Sequence, residues 1–219
     1  MRRTLQEYGL VILVAGVAAL LFRFLVLEAY SIPGPAMKPT LMPGDHILVL
    51  KTPYLFTSPT PERGAIVLLA PPEDPDHFYL RRVIGVPGDT VEITGGDVWL
   101  NGKRLRLDST TPPHPAECPR ERLDQTTYDT CRQAPELAEF PKTKVAPGTV
   151  FLVADFRTRV SSPFAAAAMS PIEGIRGEAK WIWLSIQPAG DSPTLEGKAS
   201  SPPFFSRLRF DRIFRKVSS

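Results

Sequence analysis

The chain has 219 residues, enough for one well-buried core with a smaller attached unit. Charged residues make up 22% and the net charge is +3, too mild a balance to point to nucleic acid as a partner. The three histidines, His46, His77 and His114, are widely scattered, which argues against a zinc site, and no motif calls for a metal or cofactor.

Arg2 and Arg3 precede a continuous apolar run, Gly9–Phe22; Arg23 interrupts it and Phe24–Leu27 resumes. A helix needs about 20 apolar residues to cross a bilayer. Residues 9–27 approach that length if Arg23 reaches back to the interface. The basic pair ahead of the run places the N-terminus in the cytoplasm. The expectation is a single transmembrane anchor within residues 1–30 and an exported domain over 31–219. A cleaved secretory signal is the alternative, because Gly9–Phe22 also fits an h-region. Either reading exports the remainder.

Beyond the anchor the pattern is that of a mostly β, antiparallel fold. Proline is abundant, at 24 residues, and favours short strands and loops over helices. Strands are expected at His46–Lys51, Ala65–Ala70, Tyr79–Val86, Thr90–Thr94, Val98–Leu100, Lys103–Leu107, Thr149–Ala154 and Ala179–Ile186. Turn chemistry separates them: Pro87-Gly88-Asp89, Gly95-Gly96-Asp97 and Asn101-Gly102. Residues 108–144 are polar and proline-bearing, and read as an insertion outside the main core, with the character of a β ribbon. Ser192–Pro203 reads as a mobile Ser/Pro-rich stretch. The tail Phe204–Val217 mixes apolar and basic residues; a last strand is the expectation and an anionic membrane surface the alternative.

Cys118 and Cys131 fall in that inserted stretch. In an exported domain such a pair is usually oxidised, and the bridge would close a loop of about 15 residues, worth roughly 3 kcal/mol by chain entropy. Two separate free thiols remain the other reading.

One segment stands out chemically. Residues 32–45 read Ile-Pro-Gly-Pro-Ala-Met-Lys-Pro-Thr-Leu-Met-Pro-Gly-Asp. In order after it come Arg63-Gly64-Ala65-Ile66-Val67, then Arg81-Arg82-Val83-Ile84-Gly85-Val86-Pro87-Gly88-Asp89, then Val91-Glu92-Ile93, Asn101-Gly102, Val145-Ala146-Pro147-Gly148 and Phe151-Leu152-Val153-Ala154-Asp155. This series resembles the boxes of the bacterial type I signal peptidases, whose first box reads Ile-Pro-Ser-x-Ser-Met-x-Pro-Thr-Leu-x-x-Gly-Asp. Pro33, Met37, Pro39, Thr40, Gly44, Asp45, Arg82, Gly85, Pro87, Gly88, Asp89, Asp155 and Arg157 match the pattern. The resemblance implies a bacterial inner-membrane protein of the signal-peptidase fold, with signal peptides or exported preproteins as partners.

The same resemblance puts Ala36 where the family has its nucleophilic serine, Arg81 where it has the lysine general base, and Gly34 where many members have a second serine that steadies the oxyanion. A methyl has no lone pair to attack a carbonyl. A guanidinium stays protonated and cannot act as a base. The third box also departs: Ala154-Asp155-Phe156-Arg157 keeps only the Asp and Arg, and Ala165–Ala168 replace a polar turn. The expected function is a non-catalytic pseudoprotease that binds preproteins or modulates an active peptidase. One alternative is an active peptidase with a relocated nucleophile, drawn from the hydroxyls of Ser31, Thr40, Ser161 or Ser162 and the amines of Lys38, Lys51 or Lys180. Another is a structural envelope protein whose groove Phe156 and Phe164 have filled.

Overall fold

The computed structural model describes residues 8–18, 26–71, 74–95, 97–106, 118–132, 139–157, 167–188 and 204–217. Residues 8–18 form helix α1, with Leu10, Val11, Ile12, Leu13, Val14 and Val17 all exposed. Among the described residues no helix is long and apolar enough to cross a membrane. The chain then enters β1 (Leu27–Ser31), antiparallel to β2 (Asp45–Leu50), with Leu27 opposite Leu50. The anchor expected over 1–30 thus yields its last residues to the sheet, because Tyr30 packs into the core beside Ile47. A five-residue helix, α2 (Thr52–Phe56), follows.

The other strands, in chain order, are β3 (Ile66–Leu69), β4 (Tyr79–Gly85), β5 (Thr90–Thr94), β6 (Asp97–Leu100), β7 (Lys103–Arg104), β8 (Arg120–Leu123), β9 (Thr126–Asp129), β10 (Cys131–Arg132), β11 (Phe140–Lys144), β12 (Thr149–Val153), β13 (Phe156–Arg157), β14 (Ala167–Pro171), β15 (Ile175–Ser185) and β16 (Arg215–Lys216). The main sheet has eight strands, ordered β1-β2-β15-β3-β4-β12-β14, with β16 alongside β15. Every pairing in it is antiparallel. A four-stranded sheet, β11-β5-β6-β7, packs beside it.

Three apolar clusters hold these layers. One joins β4 and β12 to the smaller sheet through Ile84, Phe151, Val91, Ile93 and Val98. Gly85 makes that approach possible: a Cβ there would lie 2.8 Å from Val91 Cγ1 and 3.2 Å from Phe151 Cβ. A second cluster lies under β2, β3 and β15, and a third, with Val67, Val83, Leu152 and Ile175, lies on the opposite face of the sheet. Burying each such aliphatic side chain is worth about 1.5–3 kcal/mol.

Of the stretch 108–144, expected as an insertion outside the main core, residues 118–132 and 139–144 are described. Hairpin β8–β9 sends Leu123 and Tyr128 into the first cluster, and β11 pairs with β5. Its polarity reflects alternation, one side of β8 buried and the other exposed. The tail, expected as a strand, consists mainly of two 3-10 turns, Phe204–Arg207 and Phe210–Arg212, before the two residues of β16. Ser192–Pro203 lies outside the described residues.

Candidate functional site

The segment 32–45 forms a loop sewn to the sheet at both ends. Ile32 N–H donates to Asp45 O at 2.8 Å and Gly44 N–H to Ile32 O at 2.9 Å. Ile32, Met37 and Leu41 are its buried pegs, while Pro33 and Pro35 face outward. Pro39 follows a cis peptide bond. Gly44 sits at φ +84°, and a Cβ there would come within 1.8 Å of Ile186 O, so the position admits glycine alone. Ala36 is half-buried, and its carbonyl accepts the Phe156 N–H at 3.0 Å. Phe156 keeps its side chain only partly buried, and Phe164 lies outside the described residues. At Gly34 an added Cβ would meet no heavy atom within 4 Å.

The loop's far end is clamped by the tail. Arg212 Nη2 reaches Asp45 Oδ2 at 2.6 Å and Thr40 O at 2.9 Å. Arg209 Nη2 donates to Pro43 O at 2.7 Å, and its Nε to Ser185 Oγ at 2.8 Å. Ser185 Oγ in turn donates to Asp45 Oδ1 at 2.6 Å. Burial by itself raises the Asp45 carboxyl, but hydrogen bonds from Arg212, Met42 N–H and Ser185 outweigh it and hold the group below its ordinary value.

Under the loop lies a buried charge network. Arg82 forks onto Asp155, Nε to Oδ1 at 2.8 Å and Nη2 to Oδ2 at 2.7 Å, with Thr40 Oγ1 donating to Asp155 Oδ2 at 2.5 Å. The Arg82 guanidinium also stacks 4.1 Å from the centroid of Tyr128. Tyr128 donates to Glu121, and Arg157 grips the same carboxylate at 2.5 and 2.6 Å. Asp155, Glu121, Arg82 and Arg157 are all essentially inaccessible, so two cations and two anions neutralise one another away from water. The turn after β4 carries a second ion cluster. Asp89 accepts Arg63 at 2.7 and 2.9 Å, Asn101 at 2.9 Å and the Val86 N–H at 2.9 Å, and Pro87-Gly88 form its tip.

Arg81 leaves β4 on the face opposite Arg82, shared with Tyr79 and Val83. It is 7% exposed, and its Nη1 donates to Leu80 O at 2.7 Å. Burial pulls the guanidinium down to about 10, against the opposing charges of Tyr79 and Asp155. A group at 10 still holds its proton at pH 7 by about a thousand to one.

Cys118 and Cys131 are bonded to each other across the ends of the β8–β9 hairpin. Cys131 N–H donates to Asp155 O at 2.9 Å, and β10 pairs in parallel with β13, Cys131 opposite Phe156.

The matched motif positions, then, are mostly fasteners: Asp45, Asp89 and Asp155 each take arginine, and Arg82, Arg157 and Thr40 close the network. Glu121, Tyr128, Arg209 and Arg212 belong to it as well and were not among the sequence candidates. No local signal marks them, since each looks like an ordinary polar surface residue until its partner is known.

The family model for "Signal peptidase, peptidase S26" matches residues 5–184. The chain belongs to the signal peptidase S26 family. A signal peptidase I from Rickettsia bellii (strain OSU 85-389) is 27% identical over 255 residues, covering 100% of this chain and 87% of the relative. A signal peptidase I from Pseudomonas fluorescens is 30% identical over 230 residues, covering 93% and 78%. A solved signal peptidase I from Enterococcus faecalis V583 is 20% identical, covers 54% of this chain and 95% of its own, and superposes only loosely, at a TM-score of 0.32. The mostly antiparallel β architecture agrees with this membership.

Proposed function

We propose that this signal peptidase relative is a membrane-anchored pseudoprotease that holds exported preproteins at the segment its active relatives would cleave. The observation that carries the reading is the pair of side chains at the positions the family resemblance assigns to nucleophile and base. Ala36 offers a methyl, and Arg81 offers a buried cation that keeps its proton at neutral pH. The loop around Ala36 is nonetheless fully fastened to the sheet, and Ala36 is not sealed over. A scaffold preserved around an inert centre suits binding better than turnover. The binding mode expected is strand addition, with small pockets reading the peptide's side chains.

A relocated nucleophile finds no support at Thr40, whose hydroxyl donates to Asp155 while Arg82 occupies the same carboxylate. Ser161 and Ser162 lie outside the described residues. The membrane part of the reading rests on the Arg2-Arg3 pair, the apolar run after it and an open sheet face where the run delivers the chain. On that face Ala29, Leu48, Trp181 and Lys216 are neighbours across four strands, with Trp181 41% and Trp183 37% exposed. The main domain then lies on the extracytoplasmic side of a bacterial inner membrane.

Two measurements on the purified full chain in detergent test this. Incubation with a preprotein should yield no cleaved product by mass spectrometry across pH 6–9. Immobilised protein should retain the same preprotein, and a competing peptide spanning its cleavage region should release it. A clean processed product overturns the pseudoprotease, and failure to retain the preprotein overturns the binding role.

A further inference from the structure

The Cys118–Cys131 bridge stands one strand away from the loop that carries Ala36, and hydrogen bonds tie both to the Asp155–Phe156 segment between them. Cys131 N–H holds Asp155 O, Phe156 N–H holds Ala36 O at 3.0 Å, and the Asp155 carboxylate holds Thr40. The β10–β13 ladder that aligns these groups has only two residue pairs, Cys131 with Phe156 and Arg132 with Arg157. So short a ladder does not sustain itself. On the other side of the bridge, Pro119 O accepts both the N–H and the hydroxyl of Thr130, so Cys118 and Cys131 share one rigid corner. The closed loop also contains Glu121, which holds Arg157, and Tyr128, which donates to the same carboxylate.

We propose that the bridge is a latch on the Ala36 loop, set only after export. With both thiols reduced, β10 leaves β13, and the Phe156 and Asp155 contacts that align the loop are lost. With the bridge formed, the loop is fixed. Setting the latch is a thiol–disulfide exchange: the two cysteines lose two protons and two electrons, one S–S bond forms between them, and an external disulfide oxidant is reduced to two thiols. The export clause rests on the membrane reading above; the mechanical link between bridge and loop stands apart from it. Before export, in a reducing compartment, the chain would thus carry a sheet without a finished site.

Hydrogen exchange on the full chain in detergent tests the link without any ligand or cleavage assay, so its outcome is separate from that of the pseudoprotease reading. Three samples are compared: oxidised protein, protein reduced with dithiothreitol, and Cys118→Ala/Cys131→Ala. The Phe156 and Leu41 amides should exchange at least about tenfold faster in the last two, while the β2 and β15 amides keep their protection. Equal acceleration at both sets would make the bridge a general brace and overturn the latch. So would unchanged exchange at Phe156 and Leu41. Should the double variant not fold, the reduced native chain decides alone.

Discussion

Replacing Ala36 with serine and Arg81 with lysine restores the pair that the family resemblance assigns to these positions and should give a slow peptidase, with a pH dependence set by the burial of position 81. Burial draws the Arg81 guanidinium from 12.5 to about 10. A lysine ammonium starts near 10.4, so a comparable displacement leaves it at roughly 8. At that value about a tenth of the molecules carry a neutral amine at pH 7 and about nine-tenths at pH 9, so the rate should climb about tenfold between them. Ala36→Ser alone should stay silent at pH 7, where Arg81 holds its proton by about a thousand to one. Adding Gly34→Ser to the pair is sterically free, as a Cβ there meets nothing within 4 Å. The extra donor should raise the rate further, up to about 10²–10³ if it reaches the oxyanion. Cleavage of a fluorogenic preprotein segment from pH 6 to pH 10 measures all of this. Activity in the Ala36→Ser single variant at pH 7 would refute the reasoning. So would a double variant that folds yet cleaves nothing at pH 9.

Asp155→Asn leaves the Arg82 cation buried without its carboxylate, and urea unfolding should show a loss of about 3–5 kcal/mol. Asp45 and Asp89 are carboxylates held lower in the fold than their ordinary 3.8. The stability they contribute is therefore complete above that value and drains away as the pH falls through the folded-state value. Melting temperature should be nearly level from pH 7 to about 5 and drop below about 4, and Asp45→Asn should flatten part of that drop. Gly44→Ala forces a Cβ against Ile186 O in a left-handed backbone conformation, and thermal unfolding should report a cost of at least about 2 kcal/mol.

Much of the sheet was legible because its strands are short, apolar and fenced by turns. The strands at Ile66–Leu69 and Thr149–Val153 follow apolar runs, and Thr90–Thr94 follows an alternating one. Most of the missed parts share one physical cause: charges that are buried rather than solvated. Glu121 and Arg157 neutralise each other inside the protein, so the stretch around Glu121 has surface composition and core placement. Arg209 and Arg212 look like a basic tail and turn out to be the clamp on Asp45. Ala167–Ala168 carry little strand propensity, and pairing with Val153 and Leu152 makes them part of β14. Of the candidate site, the sequence displayed Ala36 and Arg81 plainly. It did not display that the matching aspartates are fasteners, since each partner lies far along the chain.

That distance has a consequence for how the molecule is made. Asp45 finds its arginine 167 positions later. A ribosome releases the N-terminal portion first. Until Arg212 has been made, the Asp45 carboxylate must stay hydrated and the Thr40 carbonyl lacks its donor. The first motif to be synthesised is therefore among the last to be finished, and a chain truncated shortly before Arg212 would expose a half-formed loop for proteolytic disposal.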